Sequence, residues 1–278
     1  MTPSQSIRVG SLSIGGGAPL VLIAGPCVIE DEEQTFLIAR FLKDLTGELD
    51  IPFIFKASYD KANRTSHDAY RGPGLVRGLE ILGRIREEFG VPVLSDVHRF
   101  EEIDPASRVL DVLQVPAFLC RQTDFVEEIA RKAKAVNVKK GQFLAPWDAA
   151  HIAEKVAAAG NRNLMLTERG ASFGYNNLVV DFRAFPILRE TGYPVIFDAT
   201  HSVQLPGGGG RASGGDRRMV PFLARAAVAA GIDGLFFEVH PDPDRALCDG
   251  PNSLALSGLR GLLSSLRRID AAVRECRE

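Results

Sequence analysis

A single (β/α)8 barrel of the α/β class, the TIM-barrel arrangement, preceded by a small β-hairpin, is the fold this sequence predicts. Three observations predict it. Short apolar runs alternate eight times with polar loops and amphipathic helical stretches, the signature of βα units on a parallel sheet. The 278 residues show no composition break that would mark a second domain, and one such barrel takes roughly 250. Reactive side chains recur at the end of nearly every apolar run, the face where a barrel gathers its chemistry. An open doubly wound sheet would need no eighth unit and usually opens with a glycine fingerprint, whereas the first strand here ends in Gly25-Pro26-Cys27.

The elements follow in order. Ile7 to Ile14 alternates apolar and polar residues around Gly10-Ser11, a hairpin pattern, and Gly15-Gly16-Gly17 then releases the chain. Residues 1–17 are thus expected as a cap and residues 18–278 as one barrel domain. Strands are expected at Leu20 to Ala24, Phe53 to Ala57, Pro92 to Asp96, Val112 to Val115, Val136 to Lys139, Leu164 to Glu168, Val195 to Asp198 and Gly234 to Glu238. Eight helical stretches lie between and after them, clearest at Glu33 to Leu49, Gly74 to Phe89, Phe125 to Ala135, Ala149 to Ala159, Met219 to Ala230 and Ser257 to Arg268.

Composition bounds the function. A hydrophobic content of 45% with 24% charged residues suits a globular protein with a full core. The net charge of -2 argues against nucleic acid, which selects a broad basic surplus. Neither a secretory signal nor an apolar run of membrane-spanning length is present, so a cytoplasmic protein without membrane contact is expected. Cys27, Cys120, Cys248 and Cys276 are spaced too irregularly for a disulfide framework or a zinc knuckle, leaving reduced thiols free to act as ligands.

The strand ends carry Cys27, Lys56 with Lys61, Asp96 with His98, Gln114, Lys139, Glu168 with Arg169, Asp198 with His201, and Glu238 with His240. Barrel closure sets strands seven, eight and one side by side, so Cys27, His201, Glu238 and Asp249 could converge on one divalent cation. Mixed sulfur, nitrogen and oxygen donors suit iron, manganese, zinc or cobalt better than magnesium. The other reading of these four is a core cysteine and ordinary surface carboxylates. Lys56, Lys61, Arg64, Arg121, Lys139 and Arg169 lie on the same face, enough to hold more than one phosphate or carboxylate. Pairing of some of them with Asp96, Glu168 or Asp198 is the alternative, with Lys56 the first expected to pair. Leu205 to Gly215 (L-P-G-G-G-G-R-A-S-G-G) lacks the ending of a phosphate-binding P-loop and reads as a lid over bound substrate.

From about Leu20 to the last helix the chain resembles the 3-deoxy-D-manno-octulosonate 8-phosphate synthase family. The motifs are A-G-P-C-V-I-E, F-K-A-S-Y-D-K-A-N-R-T-S, S-D-V-H, Q-V-P-A-F-L-C-R-Q-T-D, V-K-K-G-Q-F, T-E-R-G, D-A-T-H-S-V-Q and F-F-E-V-H-P-D-P. The resemblance implies a homotetramer that condenses phosphoenolpyruvate with arabinose 5-phosphate for lipopolysaccharide (KDO) synthesis. It implies Lys61, Lys139 and Arg169 on phosphoenolpyruvate with Gln114 nearby, Asn63 and Arg64 on the sugar phosphate, and Arg121 at a phosphate, across a subunit boundary. Lys56, Ser58 and Ala117 join that substrate set within the matching motifs, and Lys61, Lys139 and His201 are the expected catalytic groups. Cysteine rather than asparagine at Cys27 implies the metal-dependent branch, with Cys27, His201, Glu238 and Asp249 as ligands. The segment Cys248-Asp249-Gly250-Pro251, by contrast, resembles the metal-independent branch. Two rivals stand beside this reading. One is the sister synthase that uses erythrose 4-phosphate, which carries Lys-Pro-Arg-Thr where this chain has Lys61-Ala62-Asn63-Arg64-Thr65. The other is a non-catalytic phosphosugar-binding barrel.

Overall fold

The computed structural model describes residues 4–208 and 213–276. Its main sheet contains eight parallel strands: β1 (Val21–Gly25), β2 (Phe53–Lys56), β3 (Val93–Asp96), β4 (Val112–Val115), β5 (Ala135–Lys139), β6 (Leu164–Glu168), β7 (Val195–Asp198) and β8 (Gly234–His240). Each pairs with the next, and β8 pairs with both β7 and β1, so the sheet closes into the expected barrel. The helices are α1 (Glu32–Glu48), α2 (Leu75–Phe89), α3 (Phe100–Val109), α4 (Thr123–Lys132), α5 (Ala149–Ala158), α6 (Ala184–Arg189), α7 (Val220–Ala229) and α8 (Leu259–Glu275). Helix α1 starts where Asp31 accepts a hydrogen bond from the Gln34 N–H, and α2 stops at Gly90, whose left-handed conformation frees the chain for β3.

Helices α3 and α6 are the two without a clear pattern in the sequence. Pro105 lies inside α3 and reads as a break in the sequence, and α6 has only 6 residues, too few to show a helical period. Helix α4 ends at Lys132 rather than Ala135, because Ala135 is already the first residue of β5. Helix α8 continues to Glu275, seven residues past the expected Arg268.

Alternation along the strands divides the barrel interior into two layers. Near the strand N-termini, Val21, Ile23, Ile54, Leu94, Val112, Ala135, Met165, Ile196 and Phe236 form one apolar cluster. The hairpin (Ile7–Val9 with Leu12–Ile14, Ile7 opposite Ile14) closes this floor with Ile7, Val9 and Ile14, each at most 1% exposed. A larger apolar shell lies between the strands and the surrounding helices.

Two residues further along β2 to β8, the inward positions turn polar: Lys56, Asp96, Gln114, Asn137, Thr167, Asp198 and Glu238 are all buried. The barrel therefore presents an apolar base and a polar upper layer that can hold a site. No helix among the described residues is long and apolar enough to cross a membrane.

Candidate active site

One half of the polar layer is a hydrogen-bonded belt. Thr167 donates to Asn137 Oδ1 (2.7 Å), Asn137 Nδ2 to Gln114 Oε1 (2.7 Å), and Gln114 Nε2 to Asp96 Oδ1 (2.7 Å). Ser58 Oγ completes it by donating to Asp96 Oδ2 at 2.8 Å. Burial alone would raise the Asp96 pKa, but the surrounding Lys56, Lys61 and Lys139 hold it well below the usual carboxylate range.

The other half gathers charge. Lys56, fully buried, donates to Glu238 Oε1 and to the Cys27 carbonyl, both at 2.9 Å, and Lys61 Nζ lies 3.7 Å from the same Glu238 oxygen. Lys139 Nζ meets Asp198 Oδ2 at 2.5 Å and stands 3.9 Å from the centre of the Phe236 ring. Burial lowers the Lys139 pKa against the pull of Asp198 and Asp96. Lys61 moves the other way: burial lowers it, but its neighbours, Cys27 and Glu238 foremost, outweigh burial and raise it.

His201 sits between these groups. Its Nδ1 is 2.6 Å from Asp198 Oδ2, a contact that fixes the tautomer and leaves Nε2 facing Glu238 Oε1 (3.4 Å) and Asp249 Oδ2 (3.6 Å). Cys27 Sγ lies 3.3 Å from Asp249 Oδ2. Gly25 makes this corner possible, since a Cβ there would stand 1.9 Å from the Lys56 carbonyl oxygen.

The four expected ligands suit a divalent cation of the kind named above. They offer one thiol, one oriented imidazole and two carboxylates, and Glu238 Oε2 is buried with no partner among the described residues. Their ligand atoms do not meet as one quartet: His201, Glu238 and Asp249 cluster, while Cys27 clusters with Asp249 and a fifth residue, Cys248. Burial, contact with Cys248 and the nearby carboxylates push the Cys27 thiol well above its ordinary value, so cation binding there must displace a proton.

Above this floor opens a cavity of about 370 Å³, within the usual range of ligand pockets. Lys61, Asn63, Arg64, Ala117, Lys139, Arg169, His201 and Asp249 all line it. Arg169 donates to Gln204 Oε1 (2.5 Å) and to the His201 carbonyl (3.2 Å), while its buried Nη1 has no partner among the described residues. A four-cation cavity of this shape matches a ligand with more than one anionic group.

Three matched relatives are 2-dehydro-3-deoxyphosphooctonate aldolases, the alternative name of the synthase whose motifs appear above. The protein of Geobacter sp. (strain M21) is 61% identical over 272 residues, covering 98% of this chain and 100% of the relative. That of Trichlorobacter lovleyi is 62% identical over 271 residues, with the same coverage. That of Desulfosudis oleivorans is 63% identical over 273 residues, 98% of both chains. The family model described as DAHP synthetase I family matches residues 3–275. This chain belongs to the DAHP synthetase I family.

Within this family member the expected substrate residues divide by depth. Lys56, Ser58 and Gln114 lie buried below the cavity, bonded to Glu238 or Asp96. Lys56 pairs, as the alternative reading had it, but with Glu238 and not with Asp96, Glu168 or Asp198. Arg121 stays out of the cavity altogether, exposed in a shallow depression beside Lys155 and Glu127. The lid stretch is described at 205–208 and 213–215, where Leu205 pairs with Gly214; residues 209–212 lie outside the described residues.

Two of the lining residues, His98 and Cys248, were named in the sequence but given no substrate or ligand role. His98 enters from the loop after β3, its Nδ1 unpartnered among the described residues and its charged form disfavoured chiefly by burial. Cys248 stands 2.8 Å from Cys27 Sγ. Its position next to Asp249 in sequence was the available signal.

Proposed function

We propose that this chain condenses phosphoenolpyruvate with D-arabinose 5-phosphate and water to give 3-deoxy-D-manno-octulosonate 8-phosphate and inorganic phosphate, a step of KDO and lipopolysaccharide synthesis. The observation that carries the reading is the sequence identity of 61 to 63% across nearly the whole chain to proteins named for that product. The cationic cavity supports it, because Lys61, Lys139 and Arg169 suit the phosphate and carboxylate of one substrate while Asn63 and Arg64 at the rim suit the other.

In this reaction C3 of the enol attacks the sugar aldehyde, water adds at C2, and phosphate leaves with cleavage of its C–O bond. The cations hold two mutually repelling anions within bonding distance, which is positioning together with charge neutralisation. Asp198 orients His201 at the boundary of the two subsites. Cys27, His201, Glu238 and Asp249 would hold the divalent cation, iron, manganese, zinc or cobalt, which when bound orients or polarises the aldehyde or a water.

A homotetramer completes the proposal. Phe118, Phe143, Trp147, Phe173 and Tyr175 are exposed on the successive loops after β4, β5 and β6, an apolar surface suited to a second copy. The exposed position of Arg121 near that surface supports a role in a neighbour's site.

The test measures phosphate release from phosphoenolpyruvate with arabinose 5-phosphate or erythrose 4-phosphate, each with and without a chelator. Release with the pentose phosphate, lost in chelator and restored by a divalent cation, is expected. Preference for erythrose 4-phosphate would transfer the chain to the sister activity, and no release with either sugar would favour a non-catalytic barrel.

A further inference from the structure

Cys248 supplies a donor that the expected ligand set does not include. Its Sγ, the Cys27 Sγ and an Asp249 carboxylate oxygen lie within 4.8 Å of one another, close enough for one cation to reach all three. The two sulfurs are 2.8 Å apart and both residues are buried, at 5% and 3% exposure. Asp249 is the shared corner of this triad and of the His201–Glu238 triad, so a cation held by Asp249 has Cys248 beside it.

The backbone holds Cys248 in place. Glu30 Oε1 accepts the Leu247 N–H at 2.8 Å, tying the loop after β8 to the loop after β1 that carries Cys27. Asp249 adopts a left-handed conformation (φ 51°), unusual for a residue with a side chain, and Leu254–Ala255 then pairs with the end of β8. The Arg64 Nη1 lies 2.6 Å from Cys248 Sγ and further fixes the position of that side chain.

We propose that Cys248 is a second thiolate ligand of the divalent cation, joining Cys27 and the imidazole and carboxylate donors. This rests on the reading that the site binds a cation. Two thiol protons pass to solvent as two sulfur–metal bonds form. A two-sulfur donor set is softer than a one-sulfur set and shifts selectivity toward zinc, cobalt and cadmium, away from manganese.

The test uses the full chain, stripped with a chelator, kept in a reductant that does not bind metal, and loaded with cobalt(II). The thiolate-to-cobalt charge-transfer absorption is read per bound ion, with metal content measured separately. Cys248→Ser and Cys27→Ser should each lower the band by about half, as expected for one of two thiolates, and Cys276→Ser, at an exposed thiol, should leave it unchanged. A full band in Cys248→Ser with none in Cys27→Ser would overturn the proposal while leaving a one-thiolate cation site intact. Absence of bound cobalt in the parent chain would overturn both. X-ray absorption of the zinc-loaded parent chain decides the same point without a variant: two sulfurs at about 2.3 Å support the proposal and one refutes it.

Discussion

Asn63 and Arg64 are neighbours in the loop after β2, yet the structure holds them differently. Arg64 donates to Cys248 Sγ and to the Leu247 carbonyl, whereas Asn63 is exposed at the cavity rim. Under the proposed reaction Asn63 is the side chain available to sugar hydroxyls. Asn63→Ala should therefore raise KM for arabinose 5-phosphate about tenfold, the worth of one good hydrogen bond, with a smaller change for phosphoenolpyruvate. Steady-state kinetics with each substrate varied in turn checks this, and equal increases would count against the division.

Asp96 makes a prediction in pH. Its folded pKa lies below the ordinary 3.8, so ionised Asp96 contributes stability that is fully present above that value and is lost as pH falls below it. Asp96→Asn removes the charge and should cost about 3 kcal/mol at neutral pH, since two buried donors lose a charged acceptor. Urea unfolding across a pH series should show that gap narrowing below pH 3.8. A gap independent of pH would mean that Asp96 is not the charged centre of the belt.

Elements show where the sequence was legible. Strand positions came through because parallel strands buried on both faces read as unbroken apolar runs, and the inward alternation even marks where each turns polar, as at Ile54 and Lys56. Helices α3 and α6 did not, since Pro105 mimics a break and a helix of 6 residues makes fewer than two turns. At the site, Lys139, Arg169 and His201 were visible as strand-end residues, while Cys248 was hidden in a long loop whose path depends on contacts with Glu30 and β8. The depth of Lys56 and the outward position of Arg121 are tertiary facts with no local signal.

The hairpin gives the prediction at this scale. Ile14 is fully buried in the floor cluster, so Ile14→Ala should destabilise the fold by about 2–5 kcal/mol through lost contacts and a cavity. Because the polar layer is separated from the floor, kcat/KM of the folded fraction should stay within about twofold of the parent, the hairpin's effect being on stability and not on the transition state. A large fall in kcat/KM without loss of stability would contradict that separation.

At the scale of the whole molecule, the barrel concentrates charge at one end. The chain has a net charge of only -2, yet Lys61, Arg64, Lys139 and Arg169 face one cavity above the buried carboxylates Asp96, Asp198 and Glu238. Composition argues against nucleic acid as the main partner but could not reveal this concentration; the order of residues at successive strand ends did. The proposed condensation uses that arrangement to bring two anions together and release a third.

The most direct measurement follows the carbon that changes bonding. With phosphoenolpyruvate labelled with 13C at C2, NMR should show the enol signal replaced by a hemiketal carbon of an eight-carbon sugar acid, only when arabinose 5-phosphate is present, with one phosphate released per signal gained. Phosphate released without a new carbon–carbon product, or no change with both substrates present, would contradict the account.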